Sequence, residues 1–528
     1  MNTTCKTLSS VSALLLAGCI QLFPSWETRP RASLDGRELE LTDVTLSAGP
    51  INKIFDGRQR EKRQTKRGWM VTADISGPGV LAVDFGRPVP ADISVRPFGR
   101  AGDWSVDGNR MLIPVSKPEQ FVLTSPSAAT EDVHVFLTPP FRPPVSTGPV
   151  RRFARGHHRP GLLAPVSGET IILDEGAVVH AEVFLHAVTN VTICGRGTFD
   201  FSEWDRADAR AQAFRRAHGL PAEDTEFACN PFAVYASSDI RIEGVTLKDA
   251  PFWTLIVRNG SANVEIENIK IVGNWRYNSD GINVQASSHV RVRDSFLRTF
   301  DDCLVARAAY MDGDDGLPTE HLLFERNVLW CDWGKNCEVW AGHKPAVMRD
   351  IVFRGNAFAN VHFTGCDVTT WFCSADTQIR DVLFADNEYD LAEPRWKTVF
   401  QSRPDEPFNL ERETELNLVS VDAWKPAKNL GNQHFGPAED ESLYNLVYEN
   451  IAFVRPRVLG GGFTKVTAKS ETSTPYQRIR GLRFEGLPAG TEVITKGNVE
   501  LSRSGTSYSE QSRTTGSTQS RVSQQSSR

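Results

Sequence analysis

A short apolar segment recurs along this chain at a spacing that few folds can use. It reads Asn190-Val191-Thr192-Ile193, Asp239-Ile240-Arg241-Ile242, Asn263-Val264-Glu265-Ile266 and His289-Val290-Arg291-Val292. It continues as His321-Leu322-Leu323-Phe324, Asp350-Ile351-Val352-Phe353 and Asp381-Val382-Leu383-Phe384. From Ile242 through Ile266, Val292, Phe324 and Phe353 to Phe384 the steps are 24, 26, 32, 29 and 31 residues. Many copies run on through an Asn, Asp or Gly turn into a second apolar pair, as in Glu267-Asn268-Ile269-Lys270-Ile271. Such alternation makes strands, and strand repeats of about 20 to 50 residues make solenoids or propellers. Propeller blades need about 40 residues and four strands each, more than these steps supply. No helix-period segment alternates with the strands, which excludes leucine-rich and armadillo-like arrays. The reading is all-β: a parallel β-helix over residues 150–500, with coils stacking about 4.8 Å apart.

Ahead of the repeat, residues 31–145 alternate apolar runs such as Val80-Leu81-Ala82-Val83 and Val133-His134-Val135-Phe136 with Gly, Pro and Asp turns. This pattern predicts a small N-terminal β-sandwich, joined to the repeat through Pro139-Pro140-Phe141-Arg142-Pro143-Pro144. The repeat fades between Glu393 and Ser442, which reads as a long loop over one face, and resumes at Leu446-Val447-Tyr448 and Leu482-Arg483-Phe484. Residues 501–528 are Ser, Thr, Gln and Arg with almost nothing apolar, and are expected to be a disordered tail.

Net charge is −6 and the basic residues form no long stripe beyond Arg58 to Arg67, so nucleic acid is excluded as a partner. The run Arg58-Gln59-Arg60-Glu61-Lys62-Arg63 reads as a solvated loop. At the N-terminus Lys6 precedes the apolar stretch Val11 to Ala17, too short to span a bilayer. It ends in Leu16-Ala17-Gly18-Cys19, which resembles a bacterial lipoprotein signal over residues 1–19. Cys19 would then be the lipidated first residue of an exported protein, tied to a membrane through that anchor at the outer membrane or cell surface. The alternative is an ordinary cleaved signal and a periplasmic or secreted product. The nine cysteines are an odd number, which argues against a complete disulfide framework, and most read as buried small hydrophobes.

Chemistry concentrates in two acidic turns one repeat apart, Asn278-Ser279-Asp280-Gly281 and Asp301-Asp302-Cys303. Aligning the inward pairs Ile282/Val284, Leu304/Ala306, Cys337/Val339 and Cys366/Val368 leaves Asn283, Val305, Glu338 and Asp367 facing outward. Two residues before each pair stand Asp280, Asp302, Lys335 and Thr364. A slip of one residue would exchange the faces. Asp-Gly and Asp-Asp also form ordinary turns, as at Asp312-Gly313. Two such turns in register on adjacent coils instead bring three carboxylates together, where at least one pKa must rise. One carboxyl can then donate a proton while another activates water.

These motifs, with Ala250-Pro251-Phe252-Trp253 one turn earlier, resemble the polygalacturonase family, glycoside hydrolase family 28, over about residues 155–390. The related dextranase and isopullulanase family, family 49, joins a β-sandwich to a β-helix in the order read here. The resemblance implies a right-handed β-helix and inverting glycoside hydrolysis without a cofactor or metal. It implies Asp301 as general acid, with Asp280 and Asp302 positioning the water. Polygalacturonases carry Gly-His-Gly on the next coil and Arg-Ile-Lys on the one after. Here Lys335 and Glu338 fall near the first motif, and Asp367 falls near the arginine of the second. An acidic residue there would repel a uronate and forgo the bidentate contact an arginine gives it, so a neutral polysaccharide or oligosaccharide is expected. Pectin is the alternative.

Asn278, Lys335, Glu338 and Asp367 are therefore candidate substrate contacts. His343, in Gly342-His343-Lys344, is either a displaced histidine or a turn residue. Trp253, Trp275, Trp330, Trp333, Trp340 and Trp371 crowd the acidic coils in sequence, and flat rings suit the C–H faces of sugars. Some must fill core positions; Trp275 and Trp333, in turns, are the expected contacts, and Trp396 and Trp424 could wall a cleft. Two other classes stay open: a polysaccharide lyase, which would use Lys335 as a base beside a uronate, and a non-catalytic glycan-binding β-helix.

Overall fold

The computed structural model describes residues 29–48, 62, 65–125, 132–204, 216–217, 230–308, 316–341, 347–362, 364–370, 377–391, 395–398, 410–413, 415–423, 446–460, 463–470 and 477–502. Apart from a helical pair at residues 216–217, the regular elements among them are strands. No helix among the described residues is long and apolar enough to cross a membrane.

The N-terminal part is a sandwich of two five-stranded sheets. One sheet runs Arg37–Leu39, Arg31–Leu34, Gly79–Asp84, Arg110–Val115, Ser105–Asp107 in space. The other runs Leu41–Ser47, Thr65–Asp74, Val133–Thr138, Glu119–Thr124, Ser94–Arg96. Leu81, Val83, Met111 and Ile113 from the first meet Val71, Phe121, Val133 and Val135 from the second in one buried core.

From Val150 onward the chain winds as a parallel β-helix. A typical coil has three strands, Ser288–Arg293, Phe296–Thr299 and Leu304–Arg307, and the next repeats them as Thr319–Glu325, Val328–Cys331 and Cys337–Ala341. Strands of the same rank pair in parallel: Val290 faces Leu322, Phe296 faces Val328, and Leu304 faces Cys337. Three ladders result. The first is a sheet of 12 strands, and the second and third run together in a sheet of 19.

The recurring segment of the sequence is the start of the first ladder. Its opening residues Asn190, Asp239, Asn263, His289, His321, Asp350 and Asp381 all have φ between 54 and 57°. That left-handed corner is tolerated best by Asn, Asp and His among residues with a side chain. The corner turns the chain so that the next and third-next residues, such as Leu322 and Phe324, point into the core. Phe324, Phe353 and Phe384 stack there with ring centroids 4.6 and 5.0 Å apart. Asparagines line a second corner. Asn327 Nδ2 donates to Asn356 Oδ1 at 3.0 Å, and Asn356 Nδ2 donates to Asn387 Oδ1 at 3.2 Å. The same oxygens accept the backbone N–H of the coil before, and the Nδ2 groups also reach Val292, Phe324 and Phe353 carbonyls.

The sandwich covers the outer face of the second ladder. Val44, Leu46, Met70, Val122 and Phe136 pack against Val272, Phe296, Val328 and Trp330. Within this seam Arg298 donates to Asp132 at 2.6 Å, lies 3.2 Å from His134 Nε2, and stacks 4.3 Å over Trp330. Trp330, grouped by sequence with the acidic coils, therefore belongs to the seam between the two units.

The segment Glu393–Ser442, expected as loop, contains strands. Glu415–Ala423 completes the third ladder between Thr364–Thr370 and Phe463–Ser470, and Arg395–Thr398 pairs with Leu410–Glu413. The alternation that would have announced Glu415–Ala423 is broken where Leu418 and Val419 are both buried, at a register shift between Asn417 and Val419. Cys19 with the signal, the tail beyond residue 502, His343, Trp371 and Trp424 lie outside the described residues.

Candidate active site

The third ladder positions the acidic residues. Ile282, Leu304, Cys337 and Cys366 are successive partners, as are Asn283, Val305, Glu338 and Asp367. The apolar residues Ile282/Val284 through Cys366/Val368 fill the core, so the inward and outward assignment made from sequence holds. Two residues earlier, Gly281 N donates to Asp302 O at 2.8 Å and Cys303 N donates to Lys335 O at 2.9 Å. Asp280, Asp302 and Lys335 are thus stacked on consecutive coils.

Each acidic turn is pinned by polar contacts. Asn278 adopts φ 55°, the left-handed conformation asparagine accepts. Ser279 Oγ donates to Arg276 O at 2.6 Å, and Thr254 Oγ1 donates to Asp280 O at 2.7 Å. Asn274 Nδ2 reaches Thr254 Oγ1 at 2.6 Å and the Ser279 and Asp280 carbonyls at 3.3 Å. On the next coil Asp302 N donates to Asp301 Oδ1 at 3.1 Å, while Asp302 Oδ1 accepts Lys335 N at 2.8 Å. Gly334 makes this approach possible: a Cβ there would stand 2.4 Å from Asp301 Oδ1 and 2.5 Å from Asp302 Oδ1.

Five carboxyl groups and two cations share this face. Lys335 Nζ donates to Glu338 Oε1 at 2.5 Å and lies 3.9 Å from Asp302 Oδ1 and 4.0 Å from Asp367 Oδ2. Arg307 donates through Nε to Asn283 Oδ1 at 2.7 Å and through Nη2 to Asp280 Oδ2 at 3.2 Å. The same Nη2 is 4.0 Å from Asp302 Oδ2 and 3.8 Å from Glu338 Oε2. Its guanidinium is held between the rings of Trp253, at 4.5 Å, and Trp340, at 4.8 Å. Arg307 is the central residue that sequence reasoning passed over. Its signal was its strand parity, since it follows Val305 by two and so must face outward.

Burial with surplus negative charge moves the titrations. Burial, then the Asp301 and Asp302 charges, hold the Asp280 carboxyl well above the ordinary carboxylate range. Asp280 Oδ1 has no hydrogen-bond partner among the described residues. Asp302 is also raised, by burial first and Asp301 after it, with Lys335 acting in the opposite sense. Burial and Asp302 push Glu338 up to about 7, and burial lifts Asp367 well above its usual range. Burial alone would depress Lys335, but Asp302, Glu338 and Asp367 hold its ammonium well above the ordinary lysine value. A site of this kind can keep one carboxyl protonated as a donor and another ionised as an acceptor.

The other expected contacts fall in different places. Asn278 Nδ2 lies 3.4 Å from Asp301 Oδ2, inside the cluster. Trp333 is half-buried, stacked on Phe300 at 5.7 Å and edge-on to Tyr277 at 6.0 Å. Trp275 is buried, gives its indole N–H to Asp249 Oδ1 at 3.0 Å and lies under Arg276. Asp249 also takes a short hydrogen bond from Arg276, so these three residues brace the turn that carries Asp280.

Residues 172–312 match the model of glycosyl hydrolases family 28. This window contains both acidic turns and Arg307, and ends before Lys335, Glu338 and Asp367. A probable polygalacturonase of Vitis vinifera is 31% identical over 93 residues, which are 17% of this chain and 19% of that protein. The chain thus spans about a fifth of the length of the curated relative it matches. Among solved structures, Dex49A from Penicillium minioluteum superposes with a TM-score of 0.49 at 12% identity, over 88% of this chain and 93% of that one. The family 28 exopolygalacturonase of Yersinia enterocolitica gives 0.39 at 13% identity, over 80% and 96%.

Proposed function

We propose that this chain is a glycoside hydrolase that cleaves a neutral polysaccharide or oligosaccharide with inversion at the anomeric carbon. The observation that carries the reading is the convergence of Asp280, Asp301 and Asp302 from two adjacent coils onto one outward face. Asp301 is the proposed general acid, protonating the glycosidic oxygen as the bond to the anomeric carbon breaks. Asp280 and Asp302 orient a water on the opposite side of the ring, and one of the two takes its proton as its oxygen bonds to that carbon. The match to family 28 over residues 172–312 supports the reaction class.

The neutral substrate rests on charge. Lys335 is committed to Glu338, Asp302 and Asp367, and Arg307 to Asp280 and Asn283. A uronate entering here would meet more carboxyl groups than cations and find no uncommitted guanidinium among the residues of the cluster, whereas hydroxyl groups can use carboxylates as acceptors. The same geometry disfavours a lyase, because its base would have to be Lys335 in the neutral form, and the three surrounding carboxyls hold it protonated. Pectin remains the second reading, supported by the partial likeness to the probable polygalacturonase.

The test is release of reducing ends from a panel of neutral and acidic polysaccharides by the full chain, beside Asp301→Asn. Release from a neutral glycan that disappears in the variant is the expected result. Release from galacturonan alone would overturn the charge argument. Glycan binding without product in either protein would make this a binding β-helix. Export and a lipid anchor on Cys19 belong to the same reading; detergent-phase partitioning that is lost in Cys19→Ser checks them.

A further inference from the structure

Arg307 stands outward on the third ladder, between Gln285 on the coil before and Trp340 on the coil after. Its guanidinium is gripped between the indole rings of Trp253 and Trp340, which fixes the plane in which its N–H groups point. Nε donates to Asn283 Oδ1 at 2.7 Å, and Nη2 donates to Asp280 Oδ2 at 3.2 Å. Asn283 closes the ring, its Nδ2 donating to the same Asp280 Oδ2 at 3.5 Å. Two donors therefore meet on one carboxyl oxygen, whereas Asp280 Oδ1 is buried without a hydrogen-bond partner among the described residues. The main chain of Asp280 is anchored from the other side. Its carbonyl accepts Thr254 N at 3.0 Å, Thr254 Oγ1 at 2.7 Å and Asn274 Nδ2 at 3.3 Å. Asp302 is tied differently, through Oδ1 to the Lys335 backbone N–H at 2.8 Å. Of the three carboxyls around Arg307 Nη2, Asp280 is the closest, ahead of Glu338 at 3.8 Å and Asp302 at 4.0 Å.

We infer that Arg307 is a positioning residue that, with Asn283, holds Oδ2 of Asp280 and leaves Oδ1 to take the proton of the attacking water. This rests on the hydrolase reading above and selects Asp280 from its two candidate bases. A buried carboxylate oxygen without a donor is costly, and a water seated against Oδ1 supplies that donor. In the chemical step the water loses a proton to Asp280 Oδ1 while its oxygen bonds to the anomeric carbon. The bond from that carbon to the glycosidic oxygen breaks, and the leaving oxygen takes the proton of Asp301. The face ends with as many protons as it began. Asp302, pinned by the Lys335 N–H, orients the same water without receiving its proton. The charge of Arg307 has a second effect. Asp301, Asp302 and Arg307 face Asp280 from the next coil and Glu338 and Lys335 from the one beyond, while Arg276 on its own turn is taken by Asp249. Burial first, then the acidic neighbours, favour a proton on Asp280, and Arg307 opposes them. Loss of that opposition leaves the base protonated to higher pH, where it can accept nothing.

The experiment compares kcat, KM and the pH profile of kcat for the wild type, Arg307→Met and Arg307→Lys on whichever glycan the wild type cleaves, with circular dichroism as the check on folding. Methionine keeps an apolar stem between the two indoles but brings neither charge nor N–H donor. Arg307→Met is expected to lose about 10²-fold in kcat with KM unchanged, and its acid limb is expected to move up by about one pH unit or more. Lysine restores the charge but not the planar pair of donors. Arg307→Lys is therefore expected to keep the wild-type acid limb and to recover only part of kcat. An Arg307→Met kcat and acid limb matching the wild type would overturn the inference, and so would a loss confined to KM, which would make Arg307 a substrate contact. If Arg307→Met does not fold, Arg307→Lys decides, and a full wild-type kcat there refutes the two-point hold. If the wild type cleaves no glycan, the hydrolase reading fails separately, and carboxyl ¹³C titration judges the pairing. The Asp280 resonance, identified by its absence from Asp280→Asn, is expected to titrate at higher pH in Arg307→Met; an unmoved midpoint refutes the hold of Arg307 on Asp280.

Discussion

Two outer faces of the same β-helix bury charge, and they do so with opposite results. At the seam with the sandwich, Asp132 is enclosed by Arg298 at 2.6 Å and Lys66 at 3.0 Å. Burial alone would raise its carboxyl, yet Lys66 and Arg298 drive it well below the ordinary range, while burial and Arg298 push the adjacent His134 down to about 3. On the third ladder five carboxyl groups face two cations, and Asp280, Asp302, Glu338 and Asp367 all rise. Burial is common to both faces, so the difference lies in the balance of counter-charge. A balanced buried network fixes a joint between two units; an unbalanced one stores protons where chemistry can use them.

The sharpest way to break this contrast is at the proposed acid. Asp301→Asn is expected to cost about 10²- to 10⁴-fold in kcat, and denaturant unfolding should show stability unchanged or raised, since a surplus charge is relieved. Next in size is the seam. Arg298→Met leaves Asp132 with part of its compensation gone, and a loss of about 3–5 kcal/mol is expected from urea unfolding, with the sandwich transition separating from that of the β-helix. A merged transition of wild-type stability would show that the seam does not depend on this pair. Gly334→Ala forces the Asp301 and Asp302 carboxyls apart; about 10²-fold in kcat should go, with a circular dichroism spectrum unchanged.

The pH dependence of stability gives the smallest effect and separates the two faces by sign. Asp132 binds its proton less readily folded than unfolded, so its contribution is present above the unfolded value near 3.8 and lost as pH falls below it. Glu338 binds its proton more readily folded. Its contribution is complete below the unfolded value of 4.5 and disappears as pH rises through about 7. Glu338→Gln should therefore flatten the decline in melting temperature between those limits and leave the acid side alone. A decline of unchanged slope would remove Glu338 from the set of perturbed groups.

Much of this architecture is legible in local pattern. The recurring segment shows in the sequence because the left-handed corner that opens it selects Asn, Asp or His, and the third ladder read correctly because Ile282/Val284 and Leu304/Ala306 alternate without interruption. Glu415–Ala423 was missed because adjacent buried residues, Leu418 and Val419, break that period at a register shift. Arg307 was missed for another reason: strand parity places it outward, but nothing local reveals that Trp253 and Trp340, from other coils, enclose it. The partnership of Asp132 with Arg298 spans 166 residues and belongs to the docking of two units. Trp330, which chain distance placed among the acids, went to that seam instead.

The asparagines at Asn327, Asn356 and Asn387 have a consequence for how such a chain can change. Each amide binds the backbone of the coil before it, and Asn327 and Asn356 also donate to the amide of the coil after, so successive turns are indexed to one another at that corner rather than through the connections that follow the third strands. Segments inserted between strands can then lengthen or shorten like cards slipped into a bound ledger, without shifting the page that bears Asp280, Asp301 and Asp302. The segments between strands are free to vary while the alignment of these three carboxyls stays where the spine holds it.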